Sequence, residues 1–467
     1  MKRTCLLSLC LFLAIIIKAQ PLAEHLEHLV NHTDFLENSE VGISVYNLTQ
    51  KKQIYAYQDT KLYRPASIEK IITSVTALHD LGTEYRFRTQ LSYTGTITPD
   101  GVLKGDLYVN GGFDPEFMEE DMEKLAAAVY NAGIRAIDGS VTADVSMTDS
   151  VHWGTGWAWD DTPEAFQPYL SPLMLNRGCV NITVTPEQNG YAPKVKIIPE
   201  SDYYSIDNKA VSHSPSAGRL KITRDWISNG NTFRISGNAT KACTETLNVY
   251  SSKDFFLQTF CYKLQKQGIQ INSKRFGVCP EEAEAIALTE ISHNLDSVLH
   301  RALKKSDNLN AEAMFYALGA EKAKKKGIGF QDAQKAIYHF MKWQLERAPH
   351  HYKIVDGSGV SMYNYISPSL MMAYLKYAYH HTEIYKPFYD ALPIAGKDGT
   401  LQYRMKKGKA FNNVHAKTGT VTGVSSLAGY VKNSAGDMIA FVIINQNILN
   451  GKDARNFQDK ICELLAQ

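Results

Sequence analysis

The chain has 467 residues, 44% of them apolar and 21% charged, a balance that excludes wholesale disorder and collagen-like repeats. Fifty Lys and Arg against 48 Asp and Glu leave a formal charge of +2, which excludes the strongly basic footprint of a nucleic-acid binder. At roughly 150 residues per domain the length accommodates about three domains.

Lys2 and Arg3 precede an apolar run over residues 5–17 broken only by Ser8, and Ala19 follows. A basic start, an apolar core and a small residue at the cut read as a secretory signal peptide over residues 1–19, so the chain is expected in the periplasm or cell envelope. The run is short for a helix that crosses a bilayer. Cleavage after Ala19 removes Lys2, Arg3 and Lys18 but no acid, and takes the charge from +2 to −1. Five cysteines remain: Cys179, Cys243, Cys261, Cys279 and Cys462. They form no C-x-x-C pair and no Cys/His group at zinc spacing, so neither a metal nor a disulfide framework is implied. Their odd number leaves at least one free or paired between chains.

Residues 41–48 read as a strand, with 51–57 pairing behind a Thr-Gln-Lys turn. Ile68, Ile71, Ile72, Val75 and Leu78 recur at helical spacing and predict a helix over 67–81. Residues 90–275 differ in character. Short β-prone runs at 102–108, 140–145, 195–198, 220–223 and 232–235 are broken by Gly, Asn, Asp and Pro. Helical pattern is confined mainly to 119–132 and 254–267. Helices return at 296–305, 310–325, 330–347 and 369–378. Strands at 425–431 and 438–445 and a helix from 454 finish the chain. The order suggests a domain made of 20–89 and 276–467, interrupted by a β-rich region, 90–275, that is itself nested.

Three short motifs carry chemistry. Ser67-Ile68-Glu69-Lys70 opens a helix just after Pro65. Residues three apart share a helix face, so Lys70 can lie beside the Ser67 hydroxyl and act as the base that a serine nucleophile needs. Read singly, the motif is equally a serine at a helix start with a solvated lysine. In Ser306-Asp307-Asn308 the hydroxyl suits proton relay to a leaving amine, and the Asn308 carboxamide suits a peptide backbone. The same residue types are also good helix caps. Lys417-Thr418-Gly419-Thr420 joins a cation and a hydroxyl, which suits a terminal carboxylate, to a glycine that lets a substrate backbone approach a strand.

The three motifs in this order are shared with penicillin-binding proteins and class A β-lactamases. The chain resembles the D-alanyl-D-alanine carboxypeptidase/endopeptidase family, the low-molecular-weight class C penicillin-binding proteins of peptidase family S13. Further likeness lies in residues 154–161 (GTGWAWDD), 169–176 (YLSPLMLN), 356–361 (DGSGVS) with Asn364, and 392–401 (LPIAGKDGTL) with Arg404.

The resemblance implies an α/β fold of the serine β-lactamase/transpeptidase type. Its parts are an antiparallel sheet with flanking helices, an all-helical region and a β-rich insertion. It implies an acyl-enzyme on Ser67 with Lys70 as base, Ser306 relaying protons, Asn308 holding the substrate amide, and Lys417 and Thr418 on the terminal carboxylate. Gly419 would border the substrate, and the N–H groups of Ser67 and Thr420 would form an oxyanion hole. The implied partners are peptidoglycan stem peptides, with β-lactams as inhibitors and no cofactor. The sequence departs from the family at Met362, where arginine is usual, and at Thr148, where Asp144-Val145-Ser146 is followed by no aromatic. Asp144 resembles a residue that meets the free amino group of a diamino acid; a strand-end aspartate is the other reading. A β-lactamase and a non-catalytic envelope-binding protein on the same fold are the alternatives.

Overall fold

The computed structural model describes residues 22–280 and 284–467, so the signal-peptide reading of residues 1–19 lies outside the described residues. The chain divides into two compact units. The first comprises residues up to Asp80, Leu299–Asp307 and Gln334–Gln467. The second comprises Leu81–Val298 and Asn308–Ala333.

The first unit is built on a five-stranded antiparallel sheet. From one edge to the other its strands are His415–Val421, Val424–Lys432, Met438–Gln446, Glu40–Asn47 and Lys52–Tyr57. The central strand reads MIAFVIINQ and is buried from Ile439 to Asn445, because both of its faces are covered. Ile439, Phe441 and Ile443 join Val41, Ile43 and Val45 in one core, closed by Phe457, Ile461 and Leu465 of the C-terminal helix Gly451–Leu465. The opposite parity faces the helix Pro368–His380, which in turn packs on Glu69–Asp80. Truncating a residue such as Phe441 to alanine in a core of this kind costs about 3–5 kcal/mol.

The periodicity at 67–81 resolves into two pieces. Ala66–Ile68 is a single 3-10 turn, and Glu69–Asp80 is the α-helix. Every residue from Glu69 to Leu78 is buried, so this is a core helix with no solvent face. The helix Thr382–Ala391 contains Pro387 and so carried no clear helical signal in the sequence.

The second unit is β-rich. A seven-stranded mixed sheet runs Ile286–Asn294, Arg86–Tyr93, Leu107–Gly111, Ala136–Asp144, Val102–Lys104 and Thr96–Ile97, with Gln270–Phe276 also paired to Ala136–Asp144. Two three-stranded sheets and the helices Glu119–Asn131 and Ser252–Lys266 complete a shared apolar core. The run read as one strand over 102–108 is two, Val102–Lys104 and Leu107–Gly111, separated at Gly105. A Cβ at Gly105 would stand 1.9 Å from the Thr94 carbonyl oxygen.

Candidate active site

Ser67 owes its position to a tight turn. Ala66 adopts a φ of 49°, a left-handed conformation that L-residues adopt at a cost. The turn is braced from two sides. The Ser426 hydroxyl donates to the Pro65 carbonyl (2.6 Å). Gly359 lies so close to Ala66 that a Cβ there would be 2.0 Å from the Ala66 carbonyl oxygen. One helical turn after Ser67, Lys70 Nζ donates to Ser67 Oγ (3.1 Å) and to the Ser358 carbonyl (2.7 Å).

The Ser358 carbonyl is aimed by Asp356, a carboxylate only 1% exposed. Asp356 accepts from the N–H groups of Gly359 (2.9 Å) and Ser361 (2.7 Å) and from the Asn364 side chain (2.6 Å). Thr73 of the Lys70 helix donates to the neighbouring Gly357 carbonyl (2.8 Å), which ties the helix to the turn. In the sequence Asp356 stands out only as the first residue of the DGSGVS stretch. Its role as the hub that orients a contact of Lys70 was not legible there, although an Asp followed by Gly-Ser-Gly is a turn signal.

Lys417 lies on the edge strand His415–Val421 and is fully buried. Its ammonium donates to Ser306 Oγ (2.8 Å) and to the Thr418 carbonyl (2.7 Å). Burial first, and the charge of Lys70 second, hold the Lys417 amine well below the usual lysine range. Ser306 itself has a φ of 57°, in the turn that follows the helix Leu295–Lys304. Gly419 lets the edge strand meet the Ser67 turn. A Cβ at Gly419 would lie 2.1 Å from Ser426 Oγ and 2.9 Å from both the Pro65 carbonyl oxygen and the Ser67 nitrogen. Thr418 Oγ1 donates to Thr400 Oγ1 (2.7 Å), a partner the sequence did not single out.

Ser67, Lys70, Ser306 and Lys417 are thus linked within one unit. A hydroxyl, an adjacent amine, a second hydroxyl and a buried lysine amine equip such a cluster for acyl transfer.

The other candidates belong to the second unit. Asn308 begins the helix Asn308–Ala323, is 8% exposed, and donates to the Phe166 carbonyl (2.7 Å). Asp144 ends the strand Ala136–Asp144 and is 1% exposed. Its carboxylate accepts from the N–H groups of Ser146 (2.8 Å) and Cys279 (2.7 Å), and Lys326 Nζ lies 3.5 Å away. Burial pushes the carboxyl up, but the hydrogen bonds from Ser146 and Cys279 and the Lys326 charge outweigh it, and the net direction is down. Each oxygen of the Asp144 carboxylate thus accepts one backbone N–H at the end of the strand. Thr148, at the position of the missing aromatic, makes a parallel bridge to Ile328.

Met362 is half-buried in the turn beyond Ser361, beside the exposed Tyr363. Of the tryptophans, Trp157 is 6% exposed and stacks edge-on against Trp153, whereas Trp159 is 66% exposed and pairs with Trp226. His415 stacks on Tyr389 with ring centroids 4.1 Å apart, and burial lowers its pKa. Among the described residues no group of three or more His, Cys, Asp or Glu side chains could hold a metal ion. Cys243, Cys261, Cys279 and Cys462 are free thiols.

The D-Ala-D-Ala carboxypeptidase 3 (S13) family matches residues 22–467. The chain is 27% identical to the D-alanyl-D-alanine carboxypeptidase DacB of Haemophilus influenzae, over 91% of this chain and 88% of that protein. It is 29% identical to a D-alanyl-D-alanine carboxypeptidase of an Actinomadura species, over 92% of this chain and 82% of that protein. The crystal structure of penicillin binding protein 4 (dacB) from Haemophilus influenzae superposes with a TM-score of 0.82 at 25% identity, covering 95% of this chain and 99% of that one. With a family match that leaves out only the first 21 residues, the chain belongs to the D-Ala-D-Ala carboxypeptidase 3 (S13) family.

Proposed function

We propose that Ser67 is the acylated nucleophile of a D,D-peptidase acting on peptidoglycan stem peptides. The S13 family makes the chain a serine-type D-Ala-D-Ala carboxypeptidase. In this reading the Lys70 amine takes the Ser67 proton as Oγ attacks the carbonyl carbon of the penultimate D-alanine. The resulting oxyanion accepts from the N–H groups of Ser67 and Thr420. The departing D-alanine nitrogen gains a proton by way of Ser306, the C–N bond breaks, and an ester remains on Ser67. Water then hydrolyses the ester and restores the hydroxyl.

Lys417 and Thr418 hold the terminal carboxylate, Gly419 leaves room for the substrate backbone, and Asn308 holds the substrate amide. A D-alanyl cross-link presents the same carbonyl with a larger leaving group, so endopeptidase cleavage uses the same steps. Penicillins, whose strained amide resembles the D-alanyl-D-alanine end, acylate the same serine. The catalytic domain in this reading is residues 20–89 and 276–467, interrupted by the β-rich insertion 90–275. Residues 1–19 direct export to the envelope, where the substrate lies.

The observation that carries the reading is the 3.1 Å contact between Lys70 Nζ and Ser67 Oγ, in a site where Lys417 also senses Lys70. The charge of Lys70 is one cause of the lowered Lys417 pKa, so the two amines act on one another in one buried site. The test is incubation with monomeric and cross-linked muropeptides, read by mass analysis, beside labelling of wild type and Ser67→Ala with a tagged penicillin. Release of D-alanine and an adduct on wild type alone is expected. Equal labelling of the two proteins would end the nucleophile assignment, and rapid turnover of nitrocefin would indicate a β-lactamase.

A further inference from the structure

The segment 392–401 lies along the free edge of the strand that carries Lys417 and Thr418. The Ala416 N–H donates to the Pro393 carbonyl (3.0 Å), the Ala395 N–H donates to the Val414 carbonyl (3.0 Å), and Ile394 bridges His415. Pairing stops there. The chain then turns at Gly396 (φ 68°) and Gly399 (φ 55°) and returns Thr400 to Thr418.

The base of this turn is bolted to the segment that precedes Ser306. Lys304 Nζ donates to the Leu392 carbonyl (2.6 Å) and to Asp398 Oδ2 (2.7 Å), and Asp398 Oδ1 accepts from the Ile394 N–H (2.8 Å). A Cβ at Gly399 would be 2.7 Å from the Lys304 carbonyl oxygen, so only glycine allows the approach. Thr400 is thus held by a braced turn, not carried on a loose loop.

We propose that Thr400 is a positioning residue that sets the direction of the Thr418 hydroxyl and so sharpens preference for substrates ending in a free carboxylate. The proposal rests on Thr418 being part of the carboxylate anchor. A hydroxyl has one proton to give. Here Thr418 gives its proton to Thr400. A carboxylate only accepts, so a bound carboxylate draws the Thr418 proton to itself. The oxygen separation of 2.7 Å then suits the reverse bond, with Thr400 donating to Thr418. The chain Thr400 to Thr418 to carboxylate is polarised in one direction. An anionic acceptor gains more from that polarisation than a neutral amide does.

The experiment compares kcat and KM of wild type, Thr400→Val and Thr400→Ser on a D-alanyl-D-alanine peptide and on the same peptide with an amidated end. Valine keeps the shape and deletes the hydroxyl; serine restores it. The expected result for Thr400→Val is a KM raised about fivefold to tenfold for the free carboxylate, equivalent to one hydrogen bond, with kcat unchanged. KM for the amide should change less than about twofold, and Thr400→Ser should behave as wild type. An equal rise for both peptides, or an unchanged KM for the carboxylate, overturns the proposal. Wild type that does not distinguish the two peptides overturns the carboxylate anchor itself, and the proposal with it.

Discussion

Lys417 Nζ lies 2.8 Å from Ser306 Oγ, although 111 residues separate them in the chain. The amine is fully buried, and its second bond goes to the carbonyl of the next residue, Thr418. Both partners sit in constrained backbone: an edge strand braced at Gly419 on one side, and a left-handed turn at Ser306 on the other. The consequences can be tested at three positions.

Gly419→Ala tests how closely the edge strand must approach the nucleophile. A new Cβ would displace Ser426 from Pro65 and press on the Ser67 nitrogen, both of which shape the turn before the nucleophile. Acylation by labelled penicillin should slow by about 10²–10³, the effect of losing one oxyanion donor. Stability should fall by about 1–3 kcal/mol, as expected for overpacking. Labelling at the wild-type rate would show that the approach is not needed.

Stability should rise with pH because of Lys417. Its folded-state pKa is depressed by burial and by Lys70, whereas its unfolded value lies near 10.4. Between the two values the unfolded chain binds more protons, so raising the pH favours the folded state and acidification opposes it. Lys417→Met removes this dependence. Urea unfolding from about pH 6 to about pH 9 should show wild type gaining on the variant by up to about 1.4 kcal/mol per pH unit. A constant difference across that range would mean that Lys417 titrates normally.

Asp144→Ala separates a structural carboxylate from a substrate contact. The change leaves the Ser146 and Cys279 N–H groups without their acceptor and should cost at least about 1–3 kcal/mol. Peptides with and without a free side-chain amine should be cleaved with unchanged relative rates. A selective loss for the amine-bearing peptide would return Asp144 to the substrate. The depressed carboxyl also makes this contribution present above the unfolded aspartate pKa and lost as the pH falls through the folded value.

Local patterning in the sequence was sufficient for the elements that bury an apolar face. The strands Glu40–Asn47 and Met438–Gln446 and the helices Glu119–Asn131 and Ser252–Lys266 match their predicted ranges to within about two residues. Strands with little apolar alternation escaped it. Gln270–Phe276 reads QINSKRF and is largely exposed, so its place in the sheet comes from backbone pairing with Ala136–Asp144. The helix Thr382–Ala391 was hidden by Pro387.

The amino-acid sequence by itself determined that Ser67 and Lys70 share one turn, because a spacing of three on a helix brings side chains together whatever surrounds them. Tertiary structure alone decided the rest: that Lys70 reaches Ser358 across 288 residues, that Lys417 reaches Ser306, and that the carboxylate of Asp144 meets the Cys279 N–H. Such contacts depend on how buried layers pack and which polar groups lose water. Those are properties of the assembled core, and no short stretch of sequence contains them.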